Sequence, residues 1–208
     1  MSIDQHGLEQ FLDALASRAP TPGGGSAASL MGAMGAALVA MVCQLTTGKG
    51  KYAGVEHEIQ ECLAQAEALR AQVTATHAQD IAAFDAVMAA YGLPRASDEE
   101  KAARGDAIQR ALGVATEVPL RCARLCAEVL QVSGTVAKIG NLTVISDAGV
   151  AAMAAYAGLK SAALNVYINV PNLTDRTLAD RSQREIEQLT AAADRAVVEI
   201  YQFVRGKV

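Results

Sequence analysis

The segment from Pro20 to Tyr52 constrains the fold of this chain more than any other. It reads PTPGGGSAASLMGAMGAALVAMVCQLTTGKGKY, and between Ala27 and Cys43 its only polar side chain is Ser29. A helix that is apolar on all sides belongs in the middle of a larger structure. The run is shorter than the roughly 20 apolar residues of a membrane span and lacks aromatic anchors, which favours a buried helix. The loops at its two ends are natural places to hold a ligand.

Helical patterns cover most of the remaining sequence. The 208 residues fit one domain, 1–208, and 51% of them are apolar although only 4% are aromatic. A core of Ala, Leu, Val and Met favours closely packed helices. No convincing strand is present, so the sequence predicts an all-α, single-domain bundle of long antiparallel helices. Apolar spacing and breaker residues place these helices near residues 4–18, 26–47, 55–91, 98–132, 147–169 and 178–204.

Polar residues predict several of the helix ends. Ser26 and Ser146 are the expected N-caps of two Ala-rich helices. Ser97, followed three residues later by Glu100, predicts a capping box. The pair at 133–134, Ser-Gly, is expected to end the helix before it.

Small side chains recur every fourth residue along the apolar helix, at Ala28, Gly32, Ala36 and Ala40. Residues at this spacing share one helix face, so another backbone can approach that face closely. The approaching backbone belongs either to a neighbouring helix or to a second subunit, and the pattern allows both.

Charge and cysteine spacing argue against several classes of function. A net charge of −4, a pI near 5.4 and the lack of a basic face make nucleic acid an unexpected partner. A membrane is not expected as a partner either, because the apolar helix is too short for a span and lacks aromatic anchors. The cysteines show neither disulfide nor metal-ligand spacing, so no metal site is expected. The N-terminal sequence MSIDQHGLEQFLDAL does not have the pattern of a signal peptide, which predicts a cytoplasmic protein with reduced thiols. The cysteines are Cys43, Cys62, Cys122 and Cys126.

The loop PTPGGGS, which opens the apolar helix, has the features of an anion-binding turn. Glycines let the backbone approach a ligand, and a helix N-terminus points free N–H groups towards it. No strand precedes the loop, so it is not a dinucleotide fingerprint, and TTGKGKY has Gly50 where a P-loop has Ser or Thr. The alternative is a plain turn between helices. Three consecutive glycines cost backbone entropy, however, which favours a binding role.

Three charged side chains are candidates for chemistry. Lys49, just beyond the apolar helix, would stabilise negative charge or, if desolvated, act with a lowered pKa; the alternative is a solvated loop lysine. Asp80 lies on the inner face of the long helix 55–91, where a carboxylate is either paired or placed for proton transfer. Asp147 opens an apolar helix, where it either interacts with the helix dipole or borders a buried region.

Several other polar side chains are less informative. Asn141, Asn165 and Asn169 lie in apolar surroundings and need partners, which are either backbone groups or a ligand. His57 and His77 have no carboxylate or cysteine arrangement around them and are interpreted as structural.

Five segments of the chain together carry a family resemblance: PTPGGGSAA, QLTTGKGKY, DIAAF with VMAAY, GNLTVISDAGVAA and ALNVYINV. These segments resemble those of the cyclodeaminase/cyclohydrolase family of folate enzymes, occur in the same order and span most of the chain. The resemblance implies an all-helical homodimer with a folate site near the subunit interface. For a free-standing chain of this length it implies a cyclohydrolase of one-carbon metabolism, which hydrolyses 5,10-methenyltetrahydrofolate to 10-formyltetrahydrofolate.

Carried onto the matching motifs, the resemblance implies that Gly23, Gly24, Gly25 and Ser26 border the folate and that Lys49, Tyr52, Asn141 and Asp147 surround its reactive carbon. Asp80 is added because it lies on the inner face of the helix 55–91. The catalytic positions are Lys49, Asp80 and Asp147; Asp147 or Asp80 would deprotonate the attacking water, and Lys49 would protonate N5 or stabilise the tetrahedral intermediate. No metal, and no cofactor beyond the tetrahydrofolate substrate, is expected, because the cationic amidine is already an electrophile. The substrate-binding positions are Pro22, Gly23, Gly24, Gly25, Ser26, Thr46, Tyr52 and Asn141.

Two other functions are compatible with the same residues. A formimidoyltetrahydrofolate cyclodeaminase closes the same ring and expels ammonia, through a tetrahedral carbon between the same two nitrogens. A non-catalytic scaffold or folate-binding dimer is the alternative of another class. In that alternative Lys49 and Asp147 form a structural ion pair, and no turnover is expected.

Overall fold

A computed structural model describes residues 5–208, with side chains from residue 7 onward, and the regular structure in that range is entirely helical. The all-α prediction is therefore confirmed, while the predicted helix start near residue 4 lies outside the described residues. Short 3₁₀ turns at Gly50–Val55, Leu142–Val144 and Val170–Asn172 join some of the helices. The α-helices are α1 Gln5–Leu15, α2 Gly24–Gln44, α3 Glu56–Tyr91, α4 Asp98–Ile139, α5 Ile145–Asn169 and α6 Arg176–Arg205.

The bundle is built around α2, which packs against α3, α4 and α5, while α6 covers α4 and α5. The capping box at the start of α4 is confirmed: the Glu100 N–H donates to Ser97 Oγ at 3.1 Å, and the Ser97 N–H donates to Glu100 Oε2 at 3.1 Å. At the start of α6 the Leu178 N–H donates to the carboxylate of Asp175 at 3.1 Å. Both caps satisfy N–H groups that a helix cannot satisfy itself.

The predicted end of α4 at residues 133–134 is wrong, because the helix continues to Ile139. The buried hydroxyl of Ser133 donates to the carbonyl of Val129 at 2.8 Å, so it needs no partner outside the helix. Gly134 provides room for α6: a Cβ at this position would lie 3.1 Å from Cδ1 of Ile200. The glycine therefore serves helix packing and does not terminate the helix.

The two predicted serine N-caps are also wrong. The N-cap of α2 is Gly23, in extended conformation, and Ser26 lies inside the first turn, where its hydroxyl bonds a side chain of another helix. The N-cap of α5 is Val144, and Ser146 lies within the helix. In both cases the helix begins before the serine.

The row of small residues on α2 is used within the chain. Ala28, Ala36 and Ala40 are buried, and a Cβ at Gly32 would lie 2.5 Å from Sγ of Cys126 on α4. On α5, a Cβ at Gly158 would lie 2.9 Å from the carbonyl oxygen of Ala28. The backbones of α2 and α5 therefore nearly touch, and the neighbouring-helix alternative holds for this row.

The opposite face of α2 carries larger apolar side chains that remain accessible. On this face Met34 is 48% exposed, and on α5 Leu164 and Ile168 are 68% and 69% exposed. By length and composition Gly24–Gln44 and Leu142–Asn172 are each apolar enough to cross a membrane, a property that core helices of soluble proteins share. Because α2 is enclosed by α3, α4 and α5 on its other sides, it is a core helix with one open face. That face, the α2 stripe, consists of Leu30, Met34, Leu38, Met41 and Leu45.

Candidate active site

The glycine-rich turn at the start of α2 lies against a carboxylate from α3. Ser26 Oγ donates to Asp80 Oδ2 at 3.2 Å. A Cβ at Gly25 would lie 2.5 Å from Cγ of Asp80 and closer still to Oδ1, so only glycine permits this approach. The N-terminus of α2 favours a nearby negative charge, and the Asp80 carboxylate of the same chain supplies it. We call this region, Pro22 to Ser26 with Asp80, the glycine end.

Two opposing influences act on the Asp80 carboxyl group. Burial is the larger and raises its pKa, while the hydroxyl and backbone N–H of Ser26, and more weakly the nearby His77, lower it. Burial disfavours the charged form because the carboxylate loses hydration. Asp80 is half-buried, and its bond with Ser26 holds it against α2.

Hydroxyl groups behind the turn form a closed network. Ser29 Oγ lies 2.7 Å from Thr76 Oγ1, and Ser29 also bonds the carbonyl of Gly25 at 3.1 Å. The Thr76 hydroxyl in turn donates to the carbonyl of Val73 at 2.6 Å. Because these buried polar groups are satisfied, they fix α2 against α3 and hold the glycine end rigid.

Beside Asp80 there is a groove of about 380 Å³ between α3, α4 and α5. A cavity of this size falls in the range typical of small-molecule sites. We call it the Asp80 groove; its lining includes Asp80, Phe84, Val87, Leu112, Ala115, Asn165, Ile168 and Asn169.

At the other end of α2, three predicted residues form a hydrogen-bonded clamp. The Asn141 N–H donates to Thr46 Oγ1 at 2.9 Å, and Asn141 Nδ2 donates to the carbonyl of Leu45 at 2.9 Å. Tyr52 OH donates to Asn141 Oδ1 at 3.4 Å and accepts the N–H of Leu142 at 3.0 Å. The clamp fixes the turn that carries Lys49.

Lys49 and Asp147 border this same end. Lys49 is exposed and follows Gly48, whose φ of +73° turns the chain out of α2. Asp147 is half-buried in the first turn of α5. Among residues 5–208 neither side chain forms an ion pair, so the pair that the scaffold alternative requires is not formed. We call this region, Thr46 to Tyr52 with Asn141 and Asp147, the lysine end.

The structure therefore divides the predicted site residues into two groups. Asp80 joins Pro22, Gly23, Gly24, Gly25 and Ser26, whereas Lys49 and Asp147 join Thr46, Tyr52 and Asn141. The 21-residue helix α2 separates the two groups by roughly 30 Å at 1.5 Å per residue. Within one chain, Asp80 and Lys49 cannot act on the same carbon atom.

Sequence reasoning placed Phe84 on the inner face of the helix 55–91, close to Asp80, but named neither Phe84 nor Ala115 as a site residue. Both line the Asp80 groove. The same reasoning did single out Asn165 and Asn169 as polar residues in need of partners. Spacing offered a signal for Phe84, because residues four apart share a helix face and Phe84 follows Asp80 by four. No local pattern marks Ala115, which belongs to a different helix.

Fold and site together define an all-helical protein with small-molecule binding features at both ends of a buried helix. A sequence profile described as Formiminotransferase-cyclodeaminase matches residues 7–188, and the chain belongs to that family. The family resemblance inferred from the five segments is thus confirmed.

Individual relatives give the comparison more detail. The methenyltetrahydrofolate cyclohydrolase of Methylorubrum extorquens is 57% identical over 201 residues, which cover 97% of each chain. The formimidoyltransferase-cyclodeaminase of Rattus norvegicus is 33% identical over 186 residues; these cover 89% of this chain and 34% of the rat protein. The crystal structure of formiminotetrahydrofolate cyclodeaminase from Thermotoga maritima superposes with a TM-score of 0.86 at 30% identity, covering 96% of each chain.

Proposed function

We propose that this protein is a methenyltetrahydrofolate cyclohydrolase, which hydrolyses 5,10-methenyltetrahydrofolate to 10-formyltetrahydrofolate. The observation that carries the proposal is the 57% identity to the Methylorubrum enzyme of that name across 97% of both chains. The match includes both ends of α2, where the candidate site residues lie.

A second activity, ring closure of formiminotetrahydrofolate with release of ammonia, has its own support. The Thermotoga cyclodeaminase shares the fold over 96% of its length at 30% identity. Both reactions pass through a tetrahedral carbon between N5 and N10, so one arrangement of acid and base serves either. Hydrolysis is the preferred proposal, because the identity to the Methylorubrum cyclohydrolase, 57%, exceeds the 30% identity to the Thermotoga cyclodeaminase.

The proposed chemistry starts from the cationic methenyl carbon. Water forms a bond to this carbon while Asp147, or Asp80 in the alternative assignment, accepts one of its protons. The bond from carbon to N5 then breaks as N5 takes a proton from Lys49. The hydroxyl proton passes to Lys49 as the formyl carbonyl forms, and the carboxyl group that accepted the first proton releases it to solvent. The whole reaction releases one proton. No metal and no cofactor beyond the folate is proposed, because the substrate already carries the positive charge.

We further propose that the active unit is a homodimer. A single chain leaves the glycine end and the lysine end roughly 30 Å apart, at opposite ends of α2. An antiparallel pair of copies would bring the glycine end of one subunit to the lysine end of the other. The α2 stripe supplies an apolar surface for such a contact, with Met34 48% and Met41 37% exposed.

The dimer is tested by light scattering after size exclusion. Met34→Glu should shift the wild-type dimer towards monomer and lower turnover in parallel, because a charge on the α2 stripe opposes its burial. Val198→Glu places the same charge at an exposed apolar position of α6 and should change neither. A monomeric wild type with full turnover would refute the proposed dimer.

The expected surroundings are the cytoplasm, with neither nucleic acid nor a membrane as a partner. The net charge of −4 supports this expectation for nucleic acid. Fractionation of cells that express the protein should find it in the supernatant after ultracentrifugation.

Activity should also survive dialysis against a chelator. Sedimentation with membranes, or activity restored only by added metal, would contradict these expectations.

Activity is tested by two assays on the purified protein. One follows loss of methenyltetrahydrofolate absorbance above spontaneous hydrolysis, and the other follows ammonia release from formiminotetrahydrofolate. Turnover in the first assay alone supports the cyclohydrolase, and turnover in the second alone supports the cyclodeaminase. Silence in both would favour a binding or scaffold role.

The catalytic assignment has its own test. Asp147→Ala should lower kcat by about 10²–10⁴-fold, the usual contribution of a general base. Asp85→Ala removes an exposed carboxylate from α3 and should leave kcat unchanged. Near-normal turnover by the Asp147 variant would exclude Asp147 as the base.

A further inference from the structure

The Asp80 groove is enclosed by three helices and offers both polar and apolar surface. Its volume of about 380 Å³ lies next to the first turn of α2, where Asn165 Nδ2 would lie 3.9 Å from a Cβ at Gly24. Asp80 and Asn165 therefore flank the glycine end from α3 and α5.

The polar groups of the groove are mainly hydrogen-bond acceptors. Asn165 Nδ2 donates to the carbonyl of Ser161 at 3.0 Å, and Asn169 Nδ2 donates to the carbonyl of Ala115 at 2.7 Å. Within residues 5–208 no donor is assigned to either amide oxygen. The Asp80 carboxylate has about four lone-pair positions, of which the hydroxyl and the backbone N–H of Ser26 take two and leave two for a ligand. The groove therefore favours a ligand edge that carries N–H groups.

The walls of the groove favour a flat ring. Phe84 and Val87 line it from α3, Leu112 from α4 and Ile168 from α5. Aromatic and branched apolar side chains on opposing helices can accommodate a planar heterocycle, with Phe84 available for offset stacking. A ligand with a planar ring and a donor edge meets both requirements.

We infer that the Asp80 groove binds the pterin ring of the folate, with the carboxylate of Asp80 accepting both the N3–H and the 2-amino group. These two donors lie side by side on the 2-amino-4-oxopyrimidine edge, which matches a bidentate carboxylate. The inference rests on the proposed function for its substrate class. It assigns Asp80 to substrate recognition and leaves Asp147 as the base.

Binding of two small pteridines tests the inference directly. Pterin carries the 2-amino donor, whereas lumazine has a carbonyl oxygen at that position. Fluorescence titration of the full-length protein should show about tenfold or greater preference for pterin, as expected when a charged acceptor would otherwise face a carbonyl. Asp80→Asn should abolish the preference, while Asp85→Asn, at an exposed position of the same helix, should keep it.

A second variant leaves Asp80 and its bond to Ser26 unchanged. Ala115→Leu fills the groove from α4 and should weaken binding of pterin about tenfold or more, because it occupies the space of the ring. Ala86→Leu adds the same side chain to a separate hollow between α3 and α4 and should bind as wild type. Circular dichroism establishes that each variant is folded.

The outcomes separate the inference from the proposed function. Equal binding of the two pteridines by the wild type, a preference retained by Asp80→Asn, or unchanged pterin affinity in Ala115→Leu would each overturn the pterin assignment. Turnover of methenyltetrahydrofolate without a pterin preference would refute the assignment alone. A pterin preference without turnover would refute the cyclohydrolase and keep the subsite.

Discussion

Replacing Gly25 with alanine is the most direct perturbation of the glycine end. The new Cβ would lie 2.5 Å from Cγ of Asp80, so the carboxylate must rotate away and lose its bond with Ser26. Gly24 provides a matched control, because the nearest atom to a Cβ there, Asn165 Nδ2, is 3.9 Å away. Both glycines lie in the first turn of α2 with negative φ, so alanine brings a similar helix-propensity gain at either position.

The difference between these two variants isolates the contact with Asp80. A hydrogen bond to a charged group contributes about 1.5–3 kcal/mol, and the gain in helix propensity of up to about 1 kcal/mol cancels between the variants. Gly25→Ala should therefore unfold with a free energy about 1.5–3 kcal/mol below that of Gly24→Ala. For a chain of this size the difference corresponds to a Tm lower by roughly 3–12 °C.

The assay is urea unfolding followed by circular dichroism, with all proteins at one concentration because dimerisation adds to apparent stability. Gly24→Ala should be as stable as the wild type or slightly more so. If Gly25→Ala proves as stable as Gly24→Ala, the carboxylate does not contact this turn and the description of the glycine end is incorrect.

Three further measurements address other parts of the molecule. Gly48→Ala should lower the free energy of urea unfolding by about 1–2 kcal/mol, because the φ of Gly48 is +73°. Gly50→Ala should be near neutral, because the φ of Gly50 is not positive and no atom lies within 4 Å of its added Cβ. The Arg124 guanidinium lowers the pKa of Glu185, so their pair contributes stability above the ordinary glutamate pKa, and this contribution disappears as pH falls through the lowered value. The free energy of unfolding of Glu185→Gln should therefore fall less between neutral and acid pH than that of the wild type, by about 1 kcal/mol or less, in urea unfolding repeated at each pH. Burial raises the pKa of the Cys43 thiol to about 12 and all four cysteines are buried, so alkylation at pH 8 should label the chain only after unfolding, as intact mass will reveal.

The sequence predicted the elements of the bundle well where the signals are local. The predicted helix 55–91 corresponds to α3, and the pairing of Ser97 with Glu100 correctly places the start of α4. Ser26 was misjudged because the group that meets the turn, Asp80, lies 54 residues away and on another helix. A rule that compares neighbours along the chain cannot detect such a partner.

The candidate site shows the same division between local and long-range information. Residue types and motifs identified Lys49, Asp80 and Asp147 as groups with potential chemistry. Their distribution over two ends of α2 depends on the antiparallel packing of α3 and α5 against α2, which no spacing encodes. Likewise Asn165 was recognisable as a polar residue in apolar surroundings, but its position above Gly24 follows only from the fold.

The close contact between α2 and α5 has a consequence for how the protein is synthesised. Gly32 and Gly158 bring two backbones together, yet they lie in the first and last thirds of the chain. On the ribosome α2 therefore emerges long before its partner, and α3 and α4 can cover only part of its apolar surface meanwhile. Contacts between distant segments form late because the loop between them must first close. A nascent chain that stalls before α5 is complete would expose the apolar surface of α2 to aggregation.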